Sequence, residues 1–204
     1  MAAGKQLRIE PLTGAALAGA LPDVARLRIE VFRAWPYVYE GTLAYEQDYL
    51  AELVRARDAV IVAAFDGDRI VGAATAAPLV GHASQFAPLF AGHGIDPDRV
   101  FYCGESVLLA DYRGHGIGHA FFDLREAQAR ACRGAKGEFT HVAFCSVIRA
   151  VDDPRTPPEY VPLDGFWMKR GYRPVDGLVG SYRWTEIGAA EATEQAMQFW
   201  LKAL

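Results

Sequence analysis

ESVLLADYRGHGIGHAFFDL, residues 105–124, carries the strongest structural signal in this chain of 204 residues. An apolar run ends at a turn, an arginine and three alternating glycines follow, and a helical pattern begins at once. The first four N–H groups of a helix have no partner inside the helix, and the helix dipole is positive there. Because anions bind well at such an end, the stretch predicts a site for a phosphate-bearing ligand.

The composition is that of an ordinary globular protein. Apolar residues make up 51% and charged residues 23%, which is typical of this class. The net charge of −4 and the pI near 5.7 argue against a nucleic-acid partner, which needs a basic face. No run approaches the length of a membrane span, and the N-terminus lacks the apolar segment of a signal peptide. We therefore expect a cytoplasmic protein that binds neither nucleic acid nor a membrane.

The three cysteines have no spacing typical of a metal site or a disulfide framework, so no metal is expected. Cys103 and Cys145 lie in apolar, strand-like runs, whereas Cys132 follows a helical pattern. Burial as small apolar side chains is the favoured interpretation for the strand cysteines. A nucleophilic role for Cys145 is the alternative.

Hydrophobic periodicity predicts a single mixed α/β domain over residues 1–204. Helices are predicted at 13–32 with a break at Pro22, and at 42–57, 120–133 and 165–170; strands are predicted at 7–12, 59–65, 69–75, 99–109, 141–147 and 181–185. Residues 78–98 read as a loop with one short helix over a site. The tail from Gln195 to Leu204 has the composition of a helix, but it would also serve as a closing strand. Edge strands and this apolar tail are compatible with a homodimer.

Spacing excludes two of the glycine-loop phosphate sites. A P-loop needs Gly-Lys-Ser/Thr at the helix start, but Gly118 is followed by His119 and Ala120. A dinucleotide fingerprint needs a third glycine three residues after the second, and the two candidate positions hold His119 and Phe121.

The third spacing, Arg113-x-x-Gly116-x-Gly118, resembles the Arg/Gln-x-x-Gly-x-Gly/Ala signature of the GNAT superfamily of acyl-CoA-dependent N-acyltransferases. Further on, Phe166-Trp167-Met168-Lys169-Arg170-Gly171-Tyr172 resembles the aromatic-x-x-x-Gly-aromatic element of that family. The resemblance covers roughly residues 5–204 and is strongest over 99–173. It extends to a bacterial branch that carries Phe-Trp-x-Lys-Arg-Gly-Tyr and ends like Met-Gln-Phe-Trp-Leu.

This resemblance implies a GNAT fold with a mixed, mostly antiparallel central sheet flanked by helices, using acetyl-CoA or coenzyme A. Strands four and five, here 102–109 and 141–147, would splay apart to admit the pantetheine arm. Backbone groups near the end of strand four would bind its amides, while the following loop would cradle the pyrophosphate. The residues implied are Val107, Leu108, Leu109, Arg113, Gly114, His115, Gly116, Ile117, Gly118 and His119.

The resemblance also suggests catalytic roles. An amine must lose a proton before it attacks the thioester, and Glu105 is the best base because many relatives carry an acid at this place on the strand. A structural glutamate tied to backbone or an arginine is the alternative. Many relatives carry a tyrosine as general acid where this chain has Trp167. Tyr160, Tyr172 or water would then have to supply that proton.

The acceptor region of such a fold would include Phe32, Tyr37, Tyr39 and Arg149. Aromatic residues interleaved with acids suit a small cationic amine, although core packing explains the same pattern. Arg149 is a candidate for binding a carboxylate, with a plain surface arginine as the alternative. We therefore expect an acetyl-CoA-dependent N-acetyltransferase that acts directly, in a ternary complex, on a primary amine of a small molecule or peptide. A non-catalytic acyl-CoA-binding sensor or regulatory module is the alternative, and a nucleotide-dependent enzyme is a third.

Overall fold

Strands form the centre of the computed structural model, which describes residues 7–204. The strands are β1 Leu7–Leu12, β2 Val60–Asp66, β3 Arg69–Pro78, β4 Val100–Leu108, β5 Arg133–Gly134, β6 Gly137–Glu138, β7 His141–Val147, β8 Arg173–Trp184 and β9 Thr193–Ala203. Within the described residues, seven of them make one sheet in the order β1-β2-β3-β4-β7-β9-β8. Only the β4–β7 pair is parallel. β5 and β6 form a separate hairpin. The predicted mixed, mostly antiparallel sheet is thus confirmed.

Helices flank this sheet. They are α1 Gly14–Phe32, α2 Leu43–Arg55, α3 Leu79–His82, α4 Ala87–Gly92, α5 Ile117–Ala131 and α6 Asp164–Lys169. Residues 60–64 of β2 are fully buried although their side chains alternate between the two faces, so both faces of the sheet are covered. Within residues 7–204, no helix has the length and apolarity needed to cross a bilayer.

Two sequence expectations about helices were wrong. Pro22 lies inside α1, which continues on both sides of it. A proline removes one hydrogen bond from a helix, but Leu17, Val24 and Leu27 bury the same helix in the core and keep it continuous. The region 78–98 also holds more helix than expected, because α3, a 3₁₀ turn and α4 follow one another there.

The tail is a strand. β9 inserts between β7 and β8, with Leu201 opposite Ala143 and Arg173. Met197, Phe199 and Leu201 pack into one apolar cluster, while Trp200 belongs to the other. This period of two is the strand pattern, and it prevails over the helical composition of the segment.

A gap opens between β4 and β7. The two strands pair only from Val100 to Tyr102, although both continue for several residues beyond that point. On its other side, β4 loses register with β3, since Gly104 and Glu105 together face Thr75. Such a β-bulge bends a strand and re-aims its side chains. The expected separation of strands four and five is therefore present, and Glu105 lies at its narrow end.

Candidate active site

The glycine-rich loop joins β4 to α5. A turn of 3₁₀ helix at residues 110–112 leads into Arg113, and α5 begins at Ile117 with Gly116 as its N-terminal cap. Gly114 and Gly116 have φ angles of +80° and +76°, which glycine adopts freely and other residues rarely do. A Cβ at either position would have no atom within 4 Å, so these glycines are required by backbone conformation and leave open space beside the loop.

The loop carries backbone N–H groups that have no acceptor among the described residues. The N–H groups of His119 and Ala120 donate to the Gly116 carbonyl, as expected for a first helical turn. Over the described part of the chain, the N–H groups of residues 114–118 have no protein acceptor. The side chain of Arg113 is exposed beside them. Consecutive free amides at the positive end of a helix, with one added cation, are suited to a phosphate or pyrophosphate group.

The late aromatic-glycine element packs against this loop. The ring of Phe166 on α6 lies edge-on to His119, with centroids 4.9 Å apart. Arg170 places Nη1 3.2 Å from His119 Nδ1 and forms an ion pair with Asp123 at 2.5 Å. The element therefore holds the start of α5 in place. The contact of Arg170 with this loop was not predicted, and the Lys-Arg-Gly sequence within the element was the available signal for it.

Glu105 is buried at the bulge of β4. Its Oε2 accepts a hydrogen bond from Arg28 Nη1 at 2.6 Å, and the Tyr49 hydroxyl lies 3.5 Å from the same oxygen. Its backbone N–H donates to Thr75 Oγ1 at 3.3 Å. Its Oε1 is buried and has no hydrogen-bond partner among residues 7–204. One carboxylate oxygen is therefore fixed by the protein, and the other remains an unused acceptor.

Arg28 sits between two carboxylates. Its Nε donates to Glu46 at 2.5 Å while Nη1 holds Glu105, and Tyr39 donates to the other Glu46 oxygen at 2.7 Å. Burial alone would lower the pKa of Arg28, but Glu105, Tyr49 and Glu46 raise it above its ordinary value. The guanidinium stays charged, and this one cation lies between two buried carboxyl groups. Arg28 was not predicted as a site residue, although its place within the apolar stripe of α1, four residues after Val24, was an available signal.

An aromatic cleft of about 580 Å³, including its open mouth, leads to Glu105. Predicted residues Phe32, Tyr37 and Tyr39 line it. The other lining residues are Arg28, Tyr45, Tyr49, Tyr102, Gly104, Glu105, Cys145, Tyr182, Arg183, Trp184 and Met197. These residues come from α1, α2 and strands β4 and β7–β9, so only the folded chain brings them together.

Arg149 does not line the cleft, but it holds residues that form the wall of the cleft. It donates to the carbonyls of Pro36 at 2.7 Å and Tyr37 at 3.1 Å, and it pairs with Glu186 at 2.6 Å. Trp184 Nε1 also donates to the Tyr37 carbonyl at 3.1 Å. Protein groups thus occupy the guanidinium. These contacts fix residues 33–42 between α1 and α2, here named the aromatic loop because they include Trp35, Tyr37 and Tyr39.

A group of protonated side chains lies in the cleft. The Tyr102 hydroxyl is 3.2 Å from Cys145 Sγ and 3.3 Å from the Tyr182 hydroxyl. Burial raises the pKa of both tyrosines, and it raises the pKa of the Cys145 thiol to about 12. Near neutral pH all three keep their protons. Cys145 is consequently a poor nucleophile, since the thiolate is the reactive form.

The two tyrosines named as possible acids do not line the cleft. The Tyr172 side chain is fully buried and donates to Glu126 at 3.1 Å. Tyr160 packs edge-on against Trp35, with ring centroids 6.2 Å apart. Trp167, at the position where relatives carry tyrosine, packs between Phe144 and Trp200.

Comparisons with known proteins agree with this geometry. Residues 24–152 match the family model described as the acetyltransferase (GNAT) family. Arabidopsis thaliana NAA60 in complex with acetyl-CoA is similar in structure, with 13% identity, 98% of this chain and 99% of that chain covered, and a TM-score of 0.59. An acetyltransferase from Thermus thermophilus is also similar in structure, with 16% sequence identity and a TM-score of 0.55. The alignment covers 97% of this chain and 97% of that one. No curated protein sequence matched the chain.

Proposed function

The chain belongs to the acetyltransferase (GNAT) family, and on that premise we propose that it transfers an acetyl group from acetyl-CoA to a primary amine of a small molecule or peptide. One observation carries the proposal: β4 runs directly from a buried glutamate with a free oxygen to a loop of free backbone amides. The distant relative NAA60, which shares the fold, was crystallised with acetyl-CoA and with a bisubstrate analogue.

The residues of the loop and gap fit the cosubstrate. The free N–H groups of residues 114–118, together with Arg113, would hold the pyrophosphate. His119 would add a further donor beside them. The unpaired edge of β4 beyond Tyr102, which includes Val107 and Leu108, would receive the pantetheine arm as if it were a neighbouring strand. The N–H of Leu109 is already used, because it donates to the carbonyl of Val71 at 3.1 Å.

The proposed chemistry needs a base and a proton donor. The amine nitrogen bonds to the acetyl carbon of the thioester, the carbon–sulfur bond breaks, and the sulfur leaves as a thiolate. Glu105 Oε1 accepts the proton of the amine, directly or through one water. Arg28 and Tyr49 hold the other oxygen, so the free one is oriented. Tyr102 and Tyr182 keep their protons near neutral pH, so they are proposed as hydrogen-bond donors that stabilise the thiolate. The proton taken up by Glu105 then returns to the sulfur through water.

The cleft favours a cationic acceptor. Two buried carboxyl groups, Glu46 and Glu105, flank the single guanidinium of Arg28, and this excess of acidic groups favours an ammonium group. The rings of Phe32 and Tyr37 offer aromatic faces for cation–π contact on the way in. We assign Phe32, Tyr37 and Tyr39 to acceptor binding, and we assign Arg149 to holding the loop that carries two of them.

Ligand binding and turnover test the proposal separately. Thermal unfolding is measured with coenzyme A, acetyl-CoA, ATP and NAD, and a ligand that binds the folded state raises the melting temperature. We expect a shift with the two CoA forms alone; no shift with either would refute the site. Acetyl transfer is then measured over a panel of primary amines. We expect turnover by the wild type, and a loss of about 10²- to 10⁴-fold in Glu105→Gln.

A non-catalytic acyl-CoA-binding module is the second candidate. Trp167 favours it, because this partly buried indole has no acidic proton to give to a thiolate. Binding of acetyl-CoA without turnover on any amine of the panel would select this candidate and reject the enzyme.

A further inference from the structure

Arg125 carries a positive charge into the protein interior. The residue lies on α5, it is 1% exposed, and its guanidinium carbon is 4.8 Å from the ring centre of Phe122. Over the described part of the chain it forms no ion pair with a carboxylate. Burying a charge that has no carboxylate partner opposes folding, so hydrogen bonds must offset the cost of this guanidinium.

The partners of Arg125 are backbone carbonyls. Its Nε donates to Phe121 O at 3.1 Å within α5. Its Nη1 donates both to Thr75 O at 3.3 Å and to Glu105 O at 3.2 Å. These last two carbonyls belong to the bulge, where β3 and β4 lose register and a regular ladder cannot pair them. A buried carbonyl without a donor is costly, and one guanidinium satisfies both.

The bulge has little other freedom. A Cβ at Gly104 would lie 2.7 Å from Thr75 Oγ1, so the backbone and the threonine are packed tightly there. Thr75 Oγ1 accepts a hydrogen bond from the N–H of Glu105, and Arg125 donates to the carbonyl of Glu105. Both ends of the Glu105 backbone are thus held, and the carboxylate is left to meet Arg28.

Arg125 also links the two halves of the site. It lies eight residues after Ile117, so about 12 Å of rigid helix separates it from the start of α5 and the loop of free amides. We propose that Arg125 is a positioning residue, which fixes the backbone of Glu105 relative to the phosphate-binding helix. This inference rests on the proposed function of Glu105 as the base.

Kinetics of Arg125→Lys and Arg125→Gln test the inference. A displacement of about 1 Å at a reacting group lowers the rate by about 100-fold, and we expect a loss of kcat of this order in Arg125→Gln and a smaller loss in Arg125→Lys. The dissociation constant of acetyl-CoA should stay at the wild-type value. The acidic limb of the pH–rate profile should move in both variants, because the surroundings of the base change. Combined with Glu105→Gln, neither substitution should lower kcat further, because residues that act through one another are not additive.

A readout without substrate separates positioning from general destabilisation. Amide hydrogen exchange of the segment 104–107 should be faster in Arg125→Lys than in Phe139→Leu, a control that removes buried volume next to Phe101 and away from the bulge. Assays run where all variants are folded, and Arg125→Lys carries the test if Arg125→Gln does not fold.

The possible failures are distinct. Wild-type kcat, pH profile and hydrogen exchange in both Arg125 variants, alongside an inactive Glu105→Gln, would overturn the positioning role and leave the proposed function intact. A Glu105→Gln variant with wild-type turnover would instead overturn the role of Glu105 as base.

Discussion

Replacing Arg28 by methionine removes the cation between two buried carboxylates. The side chains of Glu46 and Glu105 are 0% and 2% exposed, and Arg28 contacts both. Methionine fills similar space but supplies neither charge nor donor. Tyr39 and Tyr49 remain as hydrogen-bond donors to one oxygen of each glutamate. The two buried carboxyl groups are then left without the cation that contacts both.

Breaking a buried ion pair by removing one partner costs about 3–5 kcal/mol. We therefore expect Arg28→Met to lower the free energy of unfolding by about 3–5 kcal/mol near neutral pH. The matched control is Arg33→Met at the end of the same helix. Arg33 also pairs with a glutamate, Glu40, at 2.8 Å, but the two side chains are 53% and 44% exposed. Exposed pairs contribute at most about 1 kcal/mol, so the control should stay within that range.

Urea unfolding followed by tryptophan fluorescence measures both variants, with the loss read from the midpoint at constant m-value. The double variant Arg28→Met, Glu46→Gln should regain part of the loss, since it removes one of the two carboxyl groups left without that cation. A loss in Arg28→Met no larger than that in Arg33→Met would refute the reasoning. So would a double variant less stable than Arg28→Met alone.

Three further predictions concern the loop, the cleft wall and the buried thiol. Gly116→Ala places alanine in a left-handed conformation that costs about 1–2 kcal/mol. Calorimetry should therefore show that coenzyme A binds this variant about 5- to 30-fold more weakly. The control Gly19→Ala, in open space inside α1, should bind coenzyme A normally. Arg149→Ala removes the contacts that hold the aromatic loop, so it should raise the KM for the amine about tenfold. The affinity for acetyl-CoA should not change. Unchanged kinetics with the amine would contradict the role of Arg149 in holding this loop. Because the pKa of Cys145 is raised to about 12, only ~10⁻⁴ of this thiol is thiolate at pH 8. Mass spectrometry should find that iodoacetamide alkylates the less buried Cys132 first. The rate of alkylation at Cys145 should rise as the pH increases.

Local patterns predicted most elements well. The strand at 141–147 has the predicted bounds, and α5 begins three residues before its predicted start, directly at the glycine loop. These elements depend on hydrogen bonds and apolar periodicity within a few residues, which the sequence shows. Pro22 and the tail were harder, because burial against distant strands overrides local preference.

The site divides in the same way. The positive φ angles at residues 114 and 116 could be predicted from the sequence, because glycine tolerates them and few other residues do. The free amides and the nearby Arg113 could be predicted from their place before a helix. Glu105 was identifiable only through resemblance to a family. Its free oxygen, its pairing with Arg28 and the support from Arg125 depend on contacts across 77 and 20 residues of chain.

The amino-acid sequence therefore specifies the glycine-rich loop, most of the order of helices and strands, and the family resemblance from which the cosubstrate is proposed, since all of these arise from neighbouring residues. The tertiary structure specifies which carboxylate is held, which of its oxygens is free and which rings surround it. Those features come from a β-bulge and from charges buried by separate helices, and burial changes the energy of a charged group only once the chain has folded around it.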